Sequence, residues 1–369
     1  MKNLLVCSCV TDDCFSQASM FLMKNKLDDV AAGVKKLAAD MDADVLYLLP
    51  EGEKIDGLDA EVRYSQTSPT LGNPYSVAQV LTGNLPRPMI QDDYVAVYED
   101  RAVSVVLPEE AYNAATGKNV KFVTVNCGDK AEVKEVEIGS KLSDVVSADY
   151  AKAVLVGGLK GEFVLPGKLS EKEVSKDDFT SSVTIYEEGT CMVDTAVKVA
   201  DAAWQASCGK CVLCREGSLQ FKTIAAEMTQ GKAKMTDIDL IKEVGALIEV
   251  GAYCPYGKRM PMPLISAMNL FAGEFEEHIK KKSCSCGVCY KAEAIYLILP
   301  DKCIGCGDCV DECDEDAIEG KAKFIHMIDQ DMCEQCGKCV SACDEEAIVK
   351  WEDAKLPKLP KKLTKVGKF

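Results

Sequence analysis

Two copies of one cysteine pattern, thirty residues apart, constrain this chain more than any other feature. Cys303-Ile-Gly-Cys306-Gly-Asp-Cys309-Val-Asp-Glu-Cys313 recurs as Cys333-Glu-Gln-Cys336-Gly-Lys-Cys339-Val-Ser-Ala-Cys343, and both copies continue Asp-Glu-x-Ala-Ile. Three thiolates on a tight loop reach three irons of a cubane, and small residues between them let the backbone approach the inorganic sulfides. The fourth cysteine opens a helix that points it at the other cubane. The spacing therefore predicts one [4Fe-4S] cluster on Cys303, Cys306, Cys309 and Cys343, and a second on Cys333, Cys336, Cys339 and Cys313. Zinc in two four-cysteine knuckles is the competing reading. Such sites pair two C-x-x-C steps and lack the third step and the crossed fourth ligand. Proline commonly follows the fourth cysteine, but Asp314 and Asp344 stand there. Residues 301–346 carry fourteen acidic side chains against four lysines. Negative charge near a cluster opposes an incoming electron, so low potentials are expected.

Twenty cysteines in 369 residues would be anomalous as a disulfide framework, because so many fall at C-x-x-C steps. Closely spaced cysteines in a reducing compartment hold metal. No apolar run reaches the roughly 18–20 residues that span a bilayer. The opening Met1-Lys-Asn-Leu-Leu-Val is interrupted at once by Cys7, Cys9 and polar residues and makes a poor signal peptide. A cytoplasmic protein is the expectation. A net charge of −16 argues against nucleic acid as a partner. With His278 and His326 the only histidines, little material exists for histidine acid–base chemistry, and no catalytic residue is assigned.

A second motif, Ser207-Cys208-Gly-Lys-Cys211-Val-Leu-Cys214-Arg-Glu-Gly217, is followed by Cys254 forty positions after Cys214. Three cysteines at this spacing on a helix-entry loop, with one remote cysteine, predict a third cubane. Around these sites the periodicity gives an α+β multidomain chain. Residues 1–117 form a short α/β domain, with helices near 13–23, 28–41 and 74–81 and a strand at 43–49. Residues 118–175 form a small α+β module with a hairpin of 120–125 and 132–138. Residues 190–280 are helical, 281–300 a linker, 301–350 the two-cluster module and 351–369 a basic tail, Leu356-Pro-Lys-Leu-Pro-Lys-Lys.

Ser-Cys-Gly-Lys-Cys-x-x-Cys-Arg-Glu-Gly, with Cys191-Met-Val-Asp194 upstream, resembles the NADH-binding flavoprotein subunit of complex I. Closer still are the beta subunits of electron-bifurcating hydrogenases, which append a bacterial-type two-cluster ferredoxin at the C-terminus. The resemblance covers about residues 118–350. It implies a ubiquitin-like SLBB domain at 118–175, carrying Gly157-Gly158-Leu-x-Gly161-x-Phe, and a four-helix [4Fe-4S] bundle at 190–280. Before residue 118 it thins. The family's Gly-Arg-Gly-Gly-Ala-Gly-Phe-Pro flavin loop is missing, and Asn73 and Pro74 stand where the family has two glutamates. The resemblance thus implies a truncated flavin-type domain, with neither FMN nor NAD bound.

His278 with Cys284, Cys286 and Cys289 has zinc-like donor chemistry. The outer two cysteines match the family's Cys-Pro-Ala-Gly-Val-Cys linker, so zinc, [2Fe-2S] and plain linker thiols all remain open there. Cys7, Cys9 and Cys14 are one ligand short of a site, with Cys127 the nearest candidate fourth; buried thiols explain them equally well. Cys127 and Cys191 read as core residues, and His326 as a packed or surface side chain. The expected function is an iron–sulfur relay subunit within a larger oxidoreductase, a class that includes electron-bifurcating complexes. It would pass electrons between a flavoprotein or catalytic subunit and ferredoxin or an NAD(H)-linked partner. The alternative is an FMN-containing subunit that still oxidises NADH.

Overall fold

The computed structural model describes residues 2–10, 13–89, 94–176, 180–290, 295–330, 332–351, 356–360 and 362–369. Residues 291–294 of the expected linker, and 352–355 and 361 of the tail, lie outside them. The chain divides into two units, residues 1–286 and 287–369.

The first unit opens on β1 (Lys2–Ser8), α1 (Ala18–Asn25), α2 (Leu27–Asp40), β2 (Ala43–Pro50), β3 (Glu61–Ser65) and α3 (Pro74–Leu81). These are followed by β4 (Val97–Tyr98), β5 (Arg101–Val106) and α4 (Pro108–Thr116). The sheet order is β3-β2-β1-β5-β4, parallel except at β4. A parallel strand covered on both faces needs apolar residues in succession, which is what Leu4-Leu-Val-Cys7 supplies. Leu5, Cys7, Tyr47 and Leu49 pack with Val34 and Tyr112 on one face. Leu4, Val6, Leu46 and Leu48 pack with Leu71 and Val77 on the other. The sequence pattern predicts one helix among turns over 51–117; β3, β5 and α4 are additional. Arg101-Ala-Val-Ser-Val-Val is too short to show a decisive period, and it becomes a strand because β1 offers it a parallel partner.

The second sheet comprises β6 (Val120–Cys127), β7 (Lys130–Glu137), β8 (Ala151–Val156), β9 (Glu162–Val164) and β10 (Ser182–Glu187), with α5 (Leu142–Val145) between β7 and β8. Its order is β7-β6-β10-β8-β9. β10 lies beyond residue 175 yet runs through the middle, parallel to β6 and antiparallel to β8. Asp13 joins the two sheets: its carboxylate accepts hydrogen bonds from the Ser182 hydroxyl and, at 2.9 Å, from Phe15 N–H. The helices that follow are α6 (Met192–Gln205), α7 (Val212–Thr229), α8 (Thr236–Gly251), α9 (Pro255–Arg259), α10 (Met262–Leu270) and α11 (Ala272–Glu276). One π-helical turn, Glu277–Lys281, closes the run.

In the second unit β11 (Ile295–Ile298) pairs antiparallel with β14 (Ile348–Trp351). Between them lie α12 (Asp308–Asp311), β12 (Ile318–Glu319), β13 (Met327–Ile328) and α13 (Lys338–Ser341), with β12 and β13 paired. The end of the basic tail is anchored: Lys365 bridges to Phe324, and Ile325 N–H donates to the Thr364 carbonyl at 2.9 Å. Among the described residues no helix is long and apolar enough to cross a membrane.

Helices α2 and α4 cross at Gly33, where an added Cβ would collide with the Ala111 carbonyl oxygen. That contact is with backbone and cannot yield by a rotamer change. Gly33→Ala is expected to destabilise the first domain by about 1–3 kcal/mol, as overpacked cores do. A lower unfolding midpoint in chemical denaturation, with iron content unchanged, is the expected result.

Candidate metal centres

Helix N-termini present the first set of thiols. Cys208 lies in the α6–α7 loop, Cys211 is the N-cap of α7, Cys214 is in its first turn and Cys254 is the N-cap of α9. Unpaired N–H groups at such ends favour a thiolate. Tyr253 N–H points at Cys211 Sγ and Gly257 N–H at Cys254 Sγ, both at 3.4 Å. Burial, partly offset by the Ser207 hydroxyl, and then neighbouring Cys254, Cys211 and Cys208 push Cys214 up to about 11. Four thiols so placed ionise together only beside a cation, which the donor set is suited to hold. An added Cβ on Gly257 would stand 3.3 Å from Cys214 Sγ and 3.7 Å from Cys254 Sγ.

The loop leans on the first sheet's domain. Lys210 Nζ donates to the Pro88 carbonyl at 2.7 Å and sits 5.9 Å from the Tyr75 ring centroid. Asn73 caps α3 by accepting from Tyr75 and Ser76 N–H at 3.1 and 3.2 Å, and its amide donates to the Met89 carbonyl. Asn-Pro at this point is helix-starting chemistry.

The two repeats gather their thiols in a crossed way. Cys303, Cys306, Cys309 and Cys343 line one cavity. Cys313, Cys333, Cys336 and Cys339 line another, of about 130 Å³. Burial and then Cys303, Cys306 and Cys343 push Cys309 up to about 12. Cys339 is raised likewise, by burial and then Cys333, Cys336 and Cys313. The loops turn through left-handed backbone at Gly305 (φ +71°) and Gly307 (φ +109°), and at Gln335 (φ +60°) and Gly337 (φ +75°) in the second copy. Ala317 N–H points at Cys313 Sγ at 3.3 Å and Ala347 N–H at Cys343 Sγ at 3.4 Å.

In the first unit Cys191, His278 and Cys284 bring their ligand atoms within 4.8 Å of one another. Cys191 caps α6, and its Sγ lies 3.4 Å from His278 Nε2. His278 Nδ1 lies 2.7 Å from the Glu274 carbonyl. A carbonyl can only accept, so Nδ1 carries the proton and Nε2 faces the sulfur, the orientation of a metal-binding imidazole. Burial pulls His278 down, but the bond to Cys191, the Glu274 carbonyl and Cys284 outweigh it and carry it to about 9. Cys286 stands outside this group, and Cys289 belongs to the second unit. Sequence reasoning missed Cys191, eighty-seven positions from His278; its one signal was a cysteine at a helix start.

Cys7 and Cys9 are buried in and just after β1. Cys14 is exposed at the surface, and desolvation by its surroundings and then the neighbouring Asp13 raise it to about 11. Cys127 instead lies against the Tyr150 hydroxyl and Glu187, at 3.7 and 3.8 Å.

These centres coincide with two family matches: the NADH-ubiquinone oxidoreductase-F iron-sulfur binding region over residues 194–278, and the 4Fe-4S dicluster domain over 302–349. Over these two regions the chain is similar to F subunits and to hydrogenase subunits that carry the same iron–sulfur regions. The NADP-reducing hydrogenase subunit HndC of Solidesulfovibrio fructosivorans is 33% identical over 227 residues, covering 56% of this chain and 45% of that one. The NAD-reducing hydrogenase HoxS alpha subunit of Cupriavidus necator is 30% identical over 165 residues, 42% of this chain and 27% of that one. The chain therefore spans less than half of either relative. Its fold is similar to a chain of an NAD+-reducing [NiFe]-hydrogenase, with TM-score 0.67 and 17% identity over 76% of this chain and 57% of the other. It is an iron–sulfur, metal-binding redox protein of the electron-transport kind.

Gly257→Val would drive a branched side chain against Cys214 and Cys254. Bound iron is expected to fall by about four per chain, the content of one cubane, with helical content retained by circular dichroism.

Proposed function

We propose that this chain is an electron relay within a multisubunit oxidoreductase, holding three [4Fe-4S] clusters. The observation that carries the reading is the gathering of twelve thiols in three groups of four, in which Cys214, Cys309 and Cys339 are raised by burial and by the other cysteines of their group. Bound there, each cluster would accept and release one electron at a time. The protein's part is to supply thiolates, exclude water and aim N–H groups at sulfur. The partners are a flavoprotein or catalytic subunit on one side, and ferredoxin or an NAD(H)-linked flavoprotein on the other, an arrangement compatible with electron bifurcation. The β6–β10 sheet with α5 serves as the SLBB module, and residues 1–117 as a shortened flavin-type domain without its phosphate loop. Iron and acid-labile sulfide near twelve each per chain are expected, with no FMN released on denaturation and no NADH–dye reductase activity from the chain alone. Stoichiometric flavin with that activity would establish the NADH-oxidising alternative instead.

Cys191, His278 and Cys284 we assign as ligands of a separate ion, zinc ahead of a [2Fe-2S] cluster. Two thiolates and an imidazole supply three donors of a tetrahedral set. Cys191→Ser is expected to lower bound zinc by at least half in elemental analysis, leaving cubane iron unchanged.

A further inference from the structure

The two cysteine repeats are matched in their backbone but not in their side chains. Ala317 and Ala347 aim equivalent N–H groups at the fourth cysteine of each set, 3.3 and 3.4 Å from sulfur. One side chain breaks the match. His326 is only 2% exposed, and its Nδ1 lies 3.9 Å from Cys303 Sγ. Thirty residues on, the corresponding position is Leu356, which has no proton to donate. The imidazole is also held in place. Lys323 N–H donates to the Gly305 carbonyl at 3.0 Å, tying the chain just before His326 to the cysteine loop itself. The ring lies against Gly320, where an added Cβ would collide with His326 Cδ2. The same ring lines the cavity shared by Cys303, Cys306, Cys309 and Cys343.

We propose that His326 is a positioning residue that raises the reduction potential of the Cys303–Cys306–Cys309–Cys343 cluster, so that the two ferredoxin-type clusters differ. The inference rests on the cluster assignment above. A ligated Cys303 is a thiolate that can only accept, so this contact requires a proton on Nδ1; the Phe324 backbone carbonyl also accepts from the ring. Adding one electron places more negative charge on the cluster and its sulfurs. An N–H group aimed at one of them therefore favours the reduced form over the oxidised form. Hydrogen bonds to charged acceptors are stronger than neutral ones, and burial keeps water from replacing this one. Gly320 belongs to the same device, since any side chain there would push the ring away.

The test uses the full chain, isolated anaerobically with its clusters, in redox titrations followed by electron paramagnetic resonance. His326→Leu and Gly320→Ala should each make one ferredoxin-type cluster about tenfold harder to reduce, about 59 mV for a one-electron couple. The other clusters should be unmoved, and His326→Gln, which keeps an N–H donor, should recover most of the shift. With only two histidines in the chain, ¹⁵N-histidine labelling adds a direct readout. A weak ¹⁵N coupling to one reduced cluster should be present in the parent and absent in His326→Leu. Unchanged potentials with full iron content would overturn the proposal, as would loss of the cluster in both leucine and alanine variants, which would make the role one of packing. Iron content well below twelve in the parent protein would instead count against the cluster assignment itself, so the two failures are distinguishable.

Discussion

Gathered thiols cannot all shed their protons unless positive charge joins them, and the local structure around each centre follows from that electrostatic constraint. Each set holds at least one buried thiol that water serves poorly as a counter-charge: Cys214 is pushed to about 11 and Cys309 to about 12, and Cys339 is raised likewise, by burial and their neighbours. The fold answers with N–H groups. Helix starts at Cys211, Cys254 and Cys191, and single turns at α12 and α13, direct backbone donors towards sulfur or place sulfur where donors are unpaired. Such partial charges orient thiolates but do not neutralise four of them; the bound metal does that. Folding of these segments and metal binding are therefore linked equilibria.

What the sequence made legible follows from how locally each feature is encoded. Nine of the twelve proposed cubane thiols lie at C-x2-C-x2-C steps, where the spacing alone brings them onto one loop. Cys343 and Cys313 were legible because the repeat is exact in length. Cys254 was read as the one remote cysteine that completes the C-x2-C-x2-C step of the helical region. Strands and helices of strong period were also legible: helix α3 spans Pro74–Leu81 as read, and the β6–β7 hairpin pairs Val120 with Glu137. Helix α4 was missed despite local signals, Pro108 at its start and Gly117 at its end; the other missed features are non-local. β10 is central because Ser182–Glu187 meets β6 and β8 at once, and no pattern within six residues encodes that. Cys191 meets His278 only because α6 and the π-helical turn pack in one bundle. His326 read as an ordinary packed side chain, and its burial agrees; its contact with Cys303 spans a loop that spacing could not resolve.

The first sheet has a physical role that needs no flavin. Its strands are held by parallel pairing on both sides of β1, and α3 is capped by Asn73 in place of a carboxylate. From that rigid base the 72–89 segment reaches the cysteine loop through Lys210, whose ammonium meets the Pro88 carbonyl and the Tyr75 ring. A cation held at that loop by neutral partners keeps its charge available to the thiolates beside it. The first α/β sheet can therefore serve as the platform that fixes the Cys208–Cys214 loop.

Charge near the two ferredoxin-type sets must be weighed in the same terms. Asp314, where proline is common, forms an ion pair with Lys338 at the edge of the Cys333 set. Thirty residues away in each direction the equivalents are Asp344 and Asp308, two acids, so surface charge alone would make the Cys303 set the harder to reduce. Those groups stand in water: the Lys338 and Asp314 side chains are 55% and 71% exposed. Exposed charges about 4 Å apart interact by roughly 1 kcal/mol in water, and salt screens them over about 8–10 Å. The His326 contact is buried and short-ranged, so solvent and salt weaken it far less. The two asymmetries built into the repeat therefore act in opposite directions, and the buried imidazole is the one that salt and solvent weaken least.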